Sequence, residues 1–153
     1  MARQKFIPKP GQVDFTNIRR CPVINCVVQF KEKILLVKRS SDMNYYPNVW
    51  HGIAGFLDDN LGVENKVREE LRGELGLTEK NIVSIKLGDA IEVEAPQYNK
   101  TWIINTVLAV VNTDKVQLDW EAQEYIWVKP NEVIRFDLLP GFEKVIGMFF
   151  TLK

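Results

Sequence analysis

Apolar and polar positions change period several times along this chain, and each change marks an element. The runs CPVINCVVQF (21–30) and KILLVKR (33–39) are dense in β-branched and apolar residues and are separated only by Lys31-Glu32. That pattern predicts a β-hairpin. SSDMNYYPN (40–48) carries turn chemistry, and residues 50–54 predict a short strand. The period then changes to four: Val63, Val67, Leu71 and Leu75 form one apolar stripe, predicting a helix over about 63–75. Asp59 or Asn60 is placed to cap its start, and Gly76 lies just past its end. Three β-rich segments follow. Residues 83–95 alternate around Ile91 and Val93, 101–111 are nearly all apolar and predict a central strand covered on both faces, and 124–129 predict another strand. Pro130 is placed to open a short helix, and a last helix is predicted over 141–150, packed through Phe142, Val145, Ile146 and Phe149. Strands interspersed with a few helices predict an α/β fold, an α/β/α sandwich around a mixed β-sheet. Residues 1–20 are polar, with Pro8, Pro10 and Gly11, and read as an N-terminal extension; 21–153 read as a single domain.

Composition narrows the functional classes. A chain of 153 residues suits one domain, which at that size buries about two-thirds of its unfolded surface. Twenty basic residues offset twenty acidic ones, so no bulk field draws the protein to nucleic acid or to a membrane. No apolar run is long enough to span a bilayer, and residues 1–10 lack the apolar core of a signal peptide, so a cytoplasmic protein is expected. Cys21 and Cys26 lie five apart in a strand-like segment, on opposite faces, which supports neither a disulfide between them nor a zinc knuckle. With His51 the only histidine, both cysteines read as small buried hydrophobes.

The chemistry concentrates between residues 55 and 77, GFLDDNLGVENKVREELRGELGL. Glu70 and Glu74 are four apart on the predicted helix, about 6 Å of rise, so both lie on one face. They flank the margin of the apolar stripe, whereas a solubilising carboxylate sits more comfortably on the far side, near Arg68 and Arg72. Paired carboxylates beside an oxygen-rich loop suit a hard divalent cation such as Mg²⁺, though Glu at this spacing is also ordinary helix surface.

This stretch resembles the Nudix box, the signature of Nudix hydrolases: G, five residues, E, seven residues, then R-E-U-x-E-E-x-G-U with U a bulky aliphatic. Gly55, Glu70, Leu71, Glu74, Gly76 and Leu77 fit, with no gap in the spacing. Leu61 stands for the first Glu, Glu69 for the Arg, and Gly73 for the first of the paired Glu residues, so the box is degenerate. The resemblance implies a Nudix fold over nearly the whole chain after residue 20. It also implies a divalent metal, Mg²⁺ or Mn²⁺, held by Glu70, Glu74 and the main-chain carbonyl of Gly55 on a substrate diphosphate. In the family, the residues matching Leu61 and Glu69 form a salt bridge tying loop to helix. Both are replaced here, so neither charge is stranded, and Glu69 is placed to pair with Lys66 or Arg72 instead. Gly73 removes a carboxylate that would help hold additional metal ions.

Family members often carry a catalytic Glu in a loop at Glu121's distance, six residues, before a strand tryptophan, here Trp127. By resemblance Glu121 is the general base, with Asp119, Glu124, Glu92 and Glu94 as alternatives. Arg39 closes the second strand: it is either a solvated cation or, as the resemblance favours, a phosphate clamp. Trp50, Phe56, Tyr45 and Tyr46 surround the same entrance in sequence and either stack a base or pack a loop. Asp58 and Asp59 either touch metal-bound water or serve the start of the helix.

The expected activity is hydrolysis of a diphosphate bond in a nucleoside diphosphate linked to another group, a compound such as ADP-ribose. The expected partner is therefore a small nucleotide, with no nucleic acid and no membrane, and a homodimer remains open. The alternative is a weak or inactive Nudix fold that binds a nucleotide for regulation, which Gly73 makes credible. An isomerase related to the family needs a Cys and a His where this chain has Ala54 and Phe56, which speaks against isomerisation. A bare protein-interaction module finds no positive feature in the sequence.

Overall fold

The hairpin forms as its pattern predicts, and an asymmetry in it shapes the whole sheet. In this computed structural model, which describes residues 9–152, β1 (Arg20–Phe30) turns through Lys31 at φ 54° into β2 (Lys33–Arg39). Along one edge β1 runs parallel to β6 (Lys100–Val111), which in turn pairs antiparallel with β5 (Ile82–Ala95), so the sheet is mixed. On the other edge the partner changes midway. Gln29 and Phe30 pair with β2, whereas Val23 to Cys26 pair with β4 (Ile53–Phe56). Past the turn β2 therefore peels away, carrying β3 (Trp50–His51) on one side and β7 (Ala122–Val128) on the other. The sheet forks.

Residues 50–56 cross that fork. The single strand expected over 50–54 is divided, because β3 pairs with β2 and β4 with β1, and Gly52 stands between them. A Cβ at Gly52 would collide with the Cys26 carbonyl oxygen, so only glycine lets the chain pass this close to β1.

Two helices cover the two faces. α1 (Gly62–Leu75) buries Val67, Leu71 and Leu75 against Ile24, Cys26 and Val28; a fully buried leucine of this kind contributes roughly 2 kcal/mol. α2 (Phe142–Phe149) buries Phe142, Val145 and Ile146 against Cys21, Val27 and Trp102 on the opposite face. The expected α/β/α sandwich is present, β6 is central, and the two free, buried cysteines face opposite layers. Gly76 ends α1 in the left-handed conformation, φ 70°, as its position predicts. The start of α1 differs from expectation. Leu61 is the cap residue and makes no capping bond, while Asp59 Oδ1 accepts the Leu61 N–H at 3.1 Å one step earlier. Pro130 opens a short 3₁₀ helix of two turns, Pro130–Arg135. No helix among the described residues is long and apolar enough to cross a membrane.

The sequence-predicted extension falls partly outside the described residues; from residue 9 onward it lies along the body of the fold. The Val13 amide donates to the Asp58 carbonyl at 2.7 Å. The Phe15 ring stacks on Phe56 with centroids 5.7 Å apart. The Lys100 ammonium donates to the carbonyls of Phe15, Thr16 and Ile18. This strap closes one side of a large cleft.

Candidate active site

Where the sheet forks, side chains from both arms and from α1 converge. β4 supplies Gly55, α1 supplies Glu70 and Glu74, and the end of the loop before β7 supplies Glu121. The β2–β7 ladder sets the last of these, because Arg39 pairs with Ala122, the residue after Glu121. One oxygen from each of Glu70, Glu74 and Glu121 lies within 4.8 Å of the others. Gly55 permits this packing: a Cβ there would stand 2.9 Å from the Glu70 Cδ, so the Glu70 carboxyl lies directly on the strand backbone.

Electrostatics at this cluster are unfavourable without a cation. Glu74 is 7% exposed, and its Oε2 has no hydrogen-bond partner among the described residues. Burial pushes the Glu74 carboxyl well above the usual carboxylate range, and the neighbouring Glu70 and Glu121 push the same way. Burial likewise raises Glu70, although its hydrogen bond with Glu74 and then the Lys66 ammonium pull it back. Glu121 is pushed up to about 7, by burial first and then by the charges of Asp119 and Glu70. Three convergent carboxyl groups, one with an orphaned oxygen, fit an oxygen-seeking divalent ion such as Mg²⁺ or Mn²⁺. Gly73, by contrast, faces open space, with nothing within 4 Å of where a Cβ would stand.

A second charge cluster braces the loop to the helix through Lys66, which sequence reasoning had offered only as a partner for Glu69. Lys66 is 3% exposed, and its ammonium lies 2.8 Å from Asp59 Oδ2 and 3.3 Å from Asp58 Oδ1. The expected Lys66–Glu69 pair is present but longer, at 3.7 Å. Asp58 also accepts from Gln12 Nε2 at 2.8 Å, so the brace continues into the strap. The salt bridge that Leu61 and Glu69 cannot make is thus replaced by another ion pair joining the same loop and helix. The available signal was a pair of aspartates seven and eight residues before a helical lysine; a helical lysine is usually solvated, which hid it.

Arg39 is buried, and its guanidinium does not stand free as a fork. Nε donates to the Tyr46 carbonyl at 3.0 Å and Nη2 to the Tyr45 carbonyl at 2.8 Å, so the side chain holds the 40–48 loop in place. Nη1 faces the His51 ring at 3.4 Å. Burial and this guanidinium keep His51 neutral, its pKa well below the usual 6.5. Arg39 and His51 both line a cleft of about 560 Å³ that runs from Glu74 and Glu121 to the strap. Phe56, Tyr45 and Tyr46 line it as well, joined by Phe15 and Trp102, which sequence reasoning had not singled out. Trp50 does not line it. Its ring packs edge-on against Phe136, 5.2 Å away, because β3 turns that side chain toward the 130–139 segment.

Known proteins share this fold. A model of the NUDIX domain matches residues 19–147. The nucleoside triphosphatase NudI of Escherichia coli is 26% identical over 139 residues, covering 86% of this chain and 97% of that protein. Among solved structures, the MutT protein of Methanosarcina mazei superposes with a TM-score of 0.70 at 18% identity, covering 86% of this chain and 93% of its own. The NUDIX domain of Shewanella oneidensis NrtR, complexed with ADP ribose, gives a TM-score of 0.70 at 15% identity, covering 84% of this chain and 85% of its own.

Proposed function

The chain belongs to the Nudix family of hydrolases, and from that premise we propose that it cleaves a diphosphate bond in a nucleoside diphosphate carrying a further group. The observation that carries this reading is the convergence of Glu70, Glu74 and Glu121 from separate elements, with one buried oxygen left without a partner. Glu70 and Glu74, with the Gly55 carbonyl, would hold Mg²⁺ or Mn²⁺, which screens the diphosphate charge and polarises its phosphorus–oxygen bonds. Glu121 accepts a proton from the attacking water as the water oxygen bonds to phosphorus and the bridging oxygen leaves with the second phosphate. A carboxyl titrating near 7 is poised for that exchange. Arg39 acts here as a fixed positive charge beside the carboxylates and as the anchor of the 40–48 loop. Phe56 offers an aromatic wall to the substrate, and Trp50 has no part in binding. Residues 21–153 form the catalytic domain, the strap contributes a wall of its cleft, and the protein acts in the cytoplasm.

The substrate class spans what two similar proteins are named for or hold: a nucleoside triphosphate and ADP ribose both contain a nucleoside diphosphate with something attached. A second reading, nucleotide binding without turnover, is favoured by Gly73, where a ligand for additional metal is missing. Incubation with Mg²⁺ or Mn²⁺ and a panel of ADP-ribose, dinucleoside polyphosphates, nucleotide sugars and nucleoside triphosphates separates the two. Hydrolysis of at least one compound is expected. Binding without hydrolysis of any would replace the first reading with the second.

A further inference from the structure

One buried polar side chain in the cleft takes no part in the carboxylate chemistry. Asn25 sits midway along β1, 2% exposed, among residues that are otherwise apolar. Val23 and Val27, on the same face of the strand, both belong to the α2-side core. Asn25 nevertheless lines the cleft, and its Oδ1 has no hydrogen-bond partner among the described residues. Its cross-strand neighbours explain why. Ala54 on β4 has no polar atom to offer, and the Thr106 hydroxyl on β6 already donates to the Asp89 carbonyl at 2.8 Å. The asparagine next along β6 shows the contrast, since the Asn105 Nδ2 donates to the Val23 carbonyl at 3.1 Å. A buried amide group is ordinarily satisfied, because leaving it unpaired destabilises the fold. The residue that carries this buried, unmet acceptor lines a space walled by Phe15, Phe56, Tyr45 and Trp102, whose rings suit a flat aromatic ligand.

We propose that Asn25 is the specificity-determining residue of the cleft, its carboxamide reading the hydrogen-bonding edge of a nucleobase held among these rings. A carboxamide offers a donor and an acceptor side by side, and so matches a base edge that pairs an N–H with an acceptor. The inference rests on the nucleotide reading above but not on hydrolysis, so it is tested without turnover. Nucleoside 5′-monophosphates contain no diphosphate bond to cleave, and Trp102 and Trp120, both lining the cleft, report binding by fluorescence.

The four common monophosphates and their base-N-methylated forms would be titrated, with Mg²⁺ present, against wild type, Asn25→Leu and Asn25→Asp. For the base that wild type prefers, methylation at the paired N–H should weaken binding by about 10-fold, and Asn25→Leu should lose the same factor and cease to distinguish the methylated form. Free Asn25→Leu should melt no lower than wild type, since it removes an unmet buried polar group; a residue kept only for structure would lower the melting temperature. Asn25→Asp keeps the size, loses the donor, and should also bind weakly. Base-blind wild-type binding, or unchanged affinity in Asn25→Leu, overturns the assignment while leaving the hydrolase reading intact. Wild type that binds no monophosphate, yet cleaves a compound of the diphosphate panel, overturns the Asn25 role alone; failure of both assays overturns the nucleotide reading with it.

Discussion

Two acidic clusters meet α1 a single turn apart, and they are resolved in opposite ways. Asp58 and Asp59 converge on the buried ammonium of Lys66, a cation the chain supplies itself. Glu70 and Glu74, one and two turns further on, converge with Glu121 on no such group, and one of their oxygens remains orphaned. Burial, charge and helix are shared, so the difference lies in whether a tethered cation is within ion-pairing distance; the Arg39 guanidinium beside the second cluster is bonded to the 40–48 loop instead. Where it is, the carboxylates are architecture. Where it is absent, the same chemistry becomes a demand for something from solution.

The contrast breaks most sharply at Glu74. Replacing it with Gln should reduce hydrolysis on the order of 100-fold or more, since removal even of groups supporting a metal's ligands costs 10- to 100-fold. Thermal stability in the absence of metal should hold or rise, because one buried charge is gone; an unchanged rate in a steady-state assay would remove Glu74 from the site. Lys66→Met should do the reverse. Stripping the tethered cation leaves Asp58 with no counter-charge and only its Gln12 hydrogen bond, and should cost about 2–3 kcal/mol in chemical denaturation, less than for a fully buried pair because Asp59 is partly solvated. Adding Asp58→Asn to that variant should recover part of the loss, and no recovery would show that the lysine acts through packing alone.

Gly73→Glu tests whether the open cluster can be enlarged. Its Cβ meets nothing, and glycine in a helix is itself unfavourable by up to about 1 kcal/mol, so the variant should fold at least as well. Its rate at limiting Mg²⁺ should rise about 10-fold. A more stable protein with an unchanged rate would mean that the new carboxylate points to solvent. The smallest effect concerns pH. The folded state holds the protons of Glu74 and Glu121 more tightly than the unfolded chain does, so in chelator the stability they contribute is full below about pH 4.5. It should then decline as the pH rises toward 7, where the Glu121 carboxyl loses its proton in the folded state. Melting curves with and without Mg²⁺ should diverge across that window, and curves that stay parallel would argue against cation binding at this cluster.

Much of this was legible in the chain because local periodicity reports local structure. The Val63 to Leu75 stripe, the glycine past its end and the Lys31-Glu32 turn each depend on neighbours a few residues away, and each is found where the pattern puts it. Glu70 and Glu74 were legible for the same reason, as two positions on one helical face. What escaped depends on distant pairings. Nothing near Trp50 says that the strand divides at Gly52, which follows from Cys26 lying against it, and so the indole's turn toward Phe136 was hidden. The Arg39 guanidinium was readable as a strand-end charge but not as the holder of the loop that follows, because its partners are carbonyls, which every residue carries. Asn25 stands in the chain as a polar letter between apolar neighbours; only the ladder shows that neither cross-strand neighbour can satisfy it.

The strap bears on how such a protein is handled at the bench. The NUDIX domain match begins at residue 19, the natural place to trim a gene for expression. Cutting there would delete Val13 and Phe15, remove the Gln12 contact to Asp58, and leave the Lys100 ammonium with none of its three carbonyls. The shortened protein would keep every carboxylate of its reaction centre and lose a side of the cleft. A substrate screen on it would then report a promiscuity that belongs to the cloning boundary.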